Sequence, residues 1–148
     1  MYKHILIPTD GSELAGHAVT NGLSLAKSVG AKVSVIVVET PFNVFSVQES
    51  KVHQMSEAFA QHAVQIKKHA ESVLSGVAAA AKAAGVACDT VQVEHEQPYQ
   101  AIITAAKDRG CDLIVMASHG RSGLSALLLG SVTNKVLTHT KTPVLVCH

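Results

Sequence analysis

The chain has 148 residues, 47% of them hydrophobic and 16% charged, with a formal net charge of +1. That length suits one domain, residues 1–148, burying about two-thirds of its unfolded surface, and that composition excludes a disordered chain. The near-neutral balance argues against nucleic acid as a main partner, and no apolar run or N-terminal pattern suggests a membrane span or a secretory leader.

The first strand is expected at His4–Pro8, HILIP. It runs into Thr9-Asp10-Gly11-Ser12, where Gly11 permits a tight turn and Ser12 suits a helix N-cap. Ala15, Ala18, Val19, Leu23, Ala26 and Val29 follow at close to a 3.6-residue repeat, and Gly30 suits the C-cap. Lys32–Val38 is nearly continuous in β-branched residues, as a central strand would be. From Glu39 to about Glu57 the periodicity breaks at Pro41, Asn43 and Ser46, yet Phe42, Val44, Phe45 and Val47 are apolar. A flap packed on the domain is expected there, with Gln48–Gln54 among the most mobile residues. Met55, Phe59, Ala63, Ile66, Ala70, Val73, Leu74, Val77 and Ala81 then define one long amphipathic helix, better suited to lying on a sheet than to a coiled coil. A third strand is expected at Val86–Glu94. Pro98 opens a helix closed by Asp108-Arg109-Gly110. Cys88, Cys111 and Cys147 show no CxxC spacing and read as buried thiols of a reducing cytoplasm.

Leu113–Met116 is a short apolar run, as in a strand buried on both faces. A small, polar, glycine-bearing loop follows, from Ala117 to Gly123. The chain then reaches Gly130-Ser131-Val132-Thr133, a helix start running to about His139. Strand, flexible loop and helix N-terminus make a phosphate-binding layout, because free amides and the helix dipole favour an anion there. Glycine lets the backbone approach the ligand closely. A Walker loop is excluded by the lack of Gly-Lys-Ser/Thr, and the GxGxxG dinucleotide spacing is absent. Pro143–Cys147 is the fifth strand. Alternating strands and helices predict a parallel α/β sheet with helices on both faces and a ligand at the strands' carboxyl ends.

Ala117, Gly120, Gly130 and Ser131 fall on the four positions of GxxGx9G[S/T]. From HILIPTDGS through this motif to PVLVCH, the chain resembles the universal stress protein family. The resemblance implies an open five-stranded sheet of order 3-2-1-4-5, with the Thr9–Ser12 and Ala117–Gly123 loops facing one crevice. It implies ATP as ligand, with Mg²⁺ carried by the nucleotide. Pro8 and Thr9 would line the adenine pocket, and the backbone of Val38 would meet the base. Met116, Ala117, Gly120, Gly130, Ser131, Val132 and Thr133 would complete the nucleotide site. Ala117 departs from the family's glycine. If that position needs φ > 0, a Cβ there costs about 1 kcal/mol or more; if it ends the strand, alanine fits.

Asp10 suits a cap for the turn; it equally suits a ribose contact or a nucleotide-bound metal, and the resemblance favours the ligand. Arg121 could reach phosphates as a bidentate donor or stand in solvent. Ser131 suits the N-cap of the last helix, a role compatible with phosphate contact. His119 is a loop histidine, the residue type of a general base, but no serine, cysteine or carboxylate is fixed beside it in the sequence, so a catalytic role is not assigned. His62 and His69 lie seven apart, unlike helical metal ligands, so no metal site is expected from side chains apart from Asp10. The resulting expectation is a cytoplasmic, ATP-binding sensor or adaptor with at most slow hydrolysis, acting on an unknown downstream protein. It would form a homodimer through Val144–Cys147, an apolar edge strand that invites a second copy. The competing readings are an adenine-nucleotide hydrolase or transferase and a same-fold interaction module that binds no nucleotide; a flavodoxin-like carrier is disfavoured by the shortage of aromatic residues.

Overall fold

The computed structural model describes residues 1–41, 49–120 and 128–148, with the backbone alone for 49–55. In chain order the elements are β1 (His4–Pro8), α1 (Glu13–Val29), β2 (Lys32–Glu39), α2 (Glu49–Ala84), β3 (Cys88–Glu94), α3 (Pro98–Asp108), β4 (Leu113–Ala117), α4 (Ser131–His139) and β5 (Val144–Cys147). The five strands form one sheet in the order β3-β2-β1-β4-β5, and every neighbouring pair is parallel. The α/β reading and the implied strand order are both met.

Strand periodicity sorts the core into two layers. Ile5, Ile7, Val33, Val35, Val37, Leu113 and Val115 point to the face covered by α1 and α2. Leu6, Ile36, Ile114 and Met116 point to the other face, where they meet Ile102 and Ala106 of α3 and Val136 of α4. Ile5, Leu6, Ile7 and Ile114 are fully buried, each worth about 1.5–3 kcal/mol of transfer free energy. Ser12 caps α1, its hydroxyl accepting from the Ala15 amide at 3.3 Å, and Gly30 closes it at φ 69°.

Several boundaries differ from expectation; β2 runs one residue past Val38 to Glu39 and β4 one past Met116 to Ala117. β3 starts at Cys88 instead of Val86, because the Val86 amide donates to Ala81 and closes α2. β5 starts at Val144, although the Pro143 carbonyl still accepts from Ile114. α2 begins at Glu49, well inside the expected flap; no Gly or Pro interrupts Glu49–Ser56, and an acidic first residue suits a helix N-terminus. Residues 42–48, with Phe42, Val44, Phe45, Val47 and Gln48, lie outside the described residues, and so does the flap's packing. Of Gln48–Gln54, the helical backbone from 49 onward is described. Cys111 and Cys147 are buried and Cys88 half-buried, all free thiols; burial pushes Cys111 up to about 11.

Candidate functional site

The carboxyl ends of β1, β2 and β4 open into a cavity of about 540 Å³, within the size range of small-molecule sites. Its floor is apolar: Ile36 and Val38 from β2, Met116 from β4, Ala15 from α1, and Pro98 and Ile102 from α3. Polar groups converge from the two loops. Pro8, Thr9 and Asp10 stand on one side, and His119, Gly120, Gly130, Ser131 and Thr133 on the other. The exposed Leu128 and Leu129 form its lip.

The turn after β1 is built from its own side chains. The Thr9 amide donates to Ile36 at 2.9 Å, tying the turn to β2. Asp10 Oδ1 accepts from the Ser12 amide at 3.0 Å, so the carboxylate does cap the turn. Its second oxygen faces Gly120, where an added Cβ would lie 2.7 Å away. The two loops are therefore in close contact across the mouth of the crevice, and glycine is the residue that allows it.

The loop after β4 is pinned at its far end. The Gly130 amide donates to the Ser118 carbonyl at 2.7 Å. A Cβ on Gly130 would sit 3.0 Å from that same oxygen and 3.2 Å from His119 Cα. Gly130 is the N-cap of α4, and among the described residues no side chain caps this helix. This corrects the expectation that Ser131 is the cap: Ser131 is the first helical residue, and its hydroxyl is exposed at the crevice. Thr133 is buried and its hydroxyl donates to the Ala117 carbonyl at 2.8 Å, locking α4 to the end of β4. The amides of Ser131, Val132 and Thr133 belong to the first turn, where no preceding helical carbonyl exists to accept them. They carry the positive end of the α4 dipole.

Ala117 is the last residue of β4, paired with Cys147. It stands in extended backbone, so its Cβ carries none of the cost that a left-handed position would impose.

Every residue read from the sequence as a site residue lines this crevice except Arg121, which lies outside the described residues. Sequence reasoning missed Ala15, Ile36, Pro98, Ile102, Leu128 and Leu129, and it left His119 aside. Ile36 was within reach, since it lies two residues before Val38 on the same strand face. His119 is half-buried; its Nδ1 is 3.1 Å from Ser118 Oγ, while its buried Nε2 has no hydrogen-bond partner among the described residues. No group of three or more His, Cys, Asp or Glu that could hold a metal occurs among the described residues.

The model of the universal stress protein family matches residues 1–148. A universal stress protein of Methanocaldococcus jannaschii is 33% identical over 147 residues, covering 99% of this chain and 82% of the relative. The universal stress protein YxiE of Bacillus subtilis is 31% identical over 147 residues, covering 99% of each. Among solved structures, a universal stress protein in complex with cAMP superposes with a TM-score of 0.72 at 25% identity, covering 99% of this chain and 97% of the other.

Proposed function

The chain belongs to the universal stress protein family, and from that premise we propose that its crevice binds ATP and that the protein acts as a nucleotide-dependent sensor or adaptor. The observation that carries this reading is the pairing of an apolar floor with an uncapped helix N-terminus reached through Gly130. A purine ring suits the floor formed by Ile36, Val38 and Met116, and the backbone near Val38 can read its edge. The phosphates suit the amides of Ser131, Val132 and Thr133. A relative crystallised with cAMP supports an adenine nucleotide as the ligand class. ATP should bind more tightly than ADP or AMP, each of which loses phosphate contacts.

Mg²⁺ would arrive on the phosphates and neutralise part of their charge. Asp10 is the described carboxylate in the crevice wall, and it would meet the ion there. Its position at the mouth fits one carboxylate assisting a metal held mainly by phosphate. Hydrolysis would be slow, since no described side chain is set to orient a water as a base. The alternative without nucleotide drew its support from Ala117, and that residue fits its strand without strain.

The same reading has the protein in the cytoplasm as a homodimer through β5, signalling to a downstream protein. β5 is an edge strand, and Leu145 on it is 43% exposed. Pairing of two β5 edges would cover it. Light scattering of the Val144→Lys, Val146→Lys double variant should give monomers or insoluble protein; a fully dimeric variant would move the interface elsewhere. The test of the ligand is mass spectrometry of nucleotide released from freshly purified, denatured protein. An adenine nucleotide is expected. Its absence, together with flat calorimetry against ATP and Mg²⁺, would refute the reading.

A further inference from the structure

At the amino ends of the strands, remote from the crevice, both nitrogens of His4 are engaged. Nδ1 lies 3.0 Å from the Arg109 carbonyl oxygen and Nε2 lies 2.8 Å from Ser34 Oγ. A carbonyl can only accept, so Nδ1 carries the proton and Nε2 takes the proton of the Ser34 hydroxyl. Ser34 Oγ in turn lies 3.5 Å from Arg109 Nη1. The donors therefore run in a ring: guanidinium to hydroxyl, hydroxyl to imidazole, imidazole to the carbonyl of the same arginine. That ring ties β1 and β2 to the C-cap of α3. The same three elements build the crevice further along: Pro8 and Thr9 on or just after β1, Ile36 and Val38 on β2, Pro98 and Ile102 on α3.

We propose that His4 is a positioning residue for the crevice, holding α3 against β1 and β2 while its ring is neutral, so that ligand affinity falls on acidification. The proposal rests on the nucleotide reading of the crevice. A second proton on the ring must go to Nε2, which then donates to Ser34 Oγ. The hydroxyl proton must turn away, and Ser34, fully buried, has no solvent to receive it. The charged groups around the ring are Lys32 on β2, Arg109 after α3, Asp89 on β3 and Asp112 before β4. Asp89 is already shared with Arg109 at 3.9 Å, and Asp112 accepts from the amides of Lys3 and His4. Burial, then Lys32, hold His4 below the usual histidine value. By linkage, a ligand that needs the closed ring must lower the His4 pKa further by the same coupling.

The probe is cAMP, whose phosphodiester keeps one charge across the histidine range, about pH 7.5 to about 5.5. Calorimetry on the full chain should show affinity falling about fivefold or more over that range. His4→Gln, which keeps a neutral group within reach of Ser34, should bind like wild type at the upper pH and lose most of the decline. His4→Phe, which fills the space without hydrogen bonds, should bind weakly at both. A His4→Gln protein with the wild-type pH profile would overturn the proposal. Ring NMR of the wild type is the second measurement: a His4 pKa unmoved by cAMP also overturns it. If cAMP and ATP both fail to bind, the nucleotide reading falls, and amide exchange in Ile102–Ala106 decides the ring by itself. Protection relative to the intrinsic exchange rate should fall there at low pH in wild type and not in His4→Gln; equal protection in the two refutes it.

Discussion

The two ends of the sheet each carry a histidine, and the chain treats them in opposite ways. At the amino end His4 is partnered on both nitrogens, and Asp112 accepts the amides of Lys3 at 2.8 Å and His4 at 3.0 Å. At the carboxyl end His119 Nε2 has no partner among the described residues, α4 has no side-chain cap, and Gly120 and Gly130 withhold the Cβ atoms that would fill the gap. Both ends pack against the same core, so the difference is not one of hydrophobic support. One end satisfies its polar groups internally and holds β1, β2 and α3 together, so it can act on the crevice only through their packing. The other leaves His119 Nε2 and the first amides of α4 without a partner among the described residues, as the proposed binding role requires.

That contrast can be broken by substitutions at each end. The largest effect is expected from Gly130→Asp, which puts a carboxylate where phosphates should sit and a Cβ 3.0 Å from Ser118 O. ATP affinity should fall about a hundredfold or more, through like-charge repulsion. Circular dichroism should show the fold retained, and calorimetry giving wild-type affinity in a folded variant would sink the phosphate assignment. Gly120→Ala is the milder form, since its Cβ meets a side-chain carboxylate oxygen of Asp10 and not backbone; affinity should drop roughly tenfold, a difference of about 1.4 kcal/mol. At the opposite end, Asp112→Asn should leave binding alone and cost about 1 kcal/mol of stability in urea, because it weakens charge-assisted bonds from two amides. Reduced ATP affinity with unchanged stability in Asp112→Asn would reverse the assignment of the two ends.

The smallest effect is a pH dependence of stability. The folded protein holds His4 below its usual 6.5, by burial first and Lys32 second. Between the folded value and 6.5 the unfolded chain therefore binds a proton that the native chain refuses. His4's contribution is complete above about pH 6.5 and is lost as pH falls through that window. Burial pushes the Asp112 carboxyl up, but the amides of His4, Lys3 and Asp112 itself outweigh it and hold it below 3.8, so its share survives until still lower pH. Urea midpoints of wild type and His4→Gln should converge as the solution is acidified; parallel curves would show that His4 does not titrate in this way.

What the sequence disclosed follows from the same contrast. Ile5, Leu6 and Ile7 announced the first strand, Leu113–Met116 announced a strand buried on both faces, and Ser12 and Gly30 announced the ends of α1, because local chemistry decides such features. The polar and glycine residues of the crevice were legible for the same reason. Ile36 and Ile102 were not, since an apolar residue facing a ligand reads like one facing the core. The cap of α4 was misplaced by one residue: a serine after a glycine looks like the cap until the Gly130–Ser118 bond is seen. The start of α2 was hidden behind Pro41, Asn43 and Ser46, whose breaking effect does not extend to Glu49. The ring around His4 was out of reach, because Ser34 and Arg109 are 75 residues apart and only the fold brings them together.

The place of β1 in the middle of the sheet also sets an order in time. Its partner on one side, β2, follows directly through α1, but its partner on the other side is β4, and the Lys3 amide meets Asp112 across 109 residues of chain. A parallel sheet closed by such distant contacts has high contact order and folds slowly. During synthesis, β1, β2 and β3 can assemble while the second edge of β1 stands bare, with Ile5, Leu6 and Ile7 at its centre. Until Leu113–Ala117 has been made and docked, that edge is the segment most open to pairing with another chain.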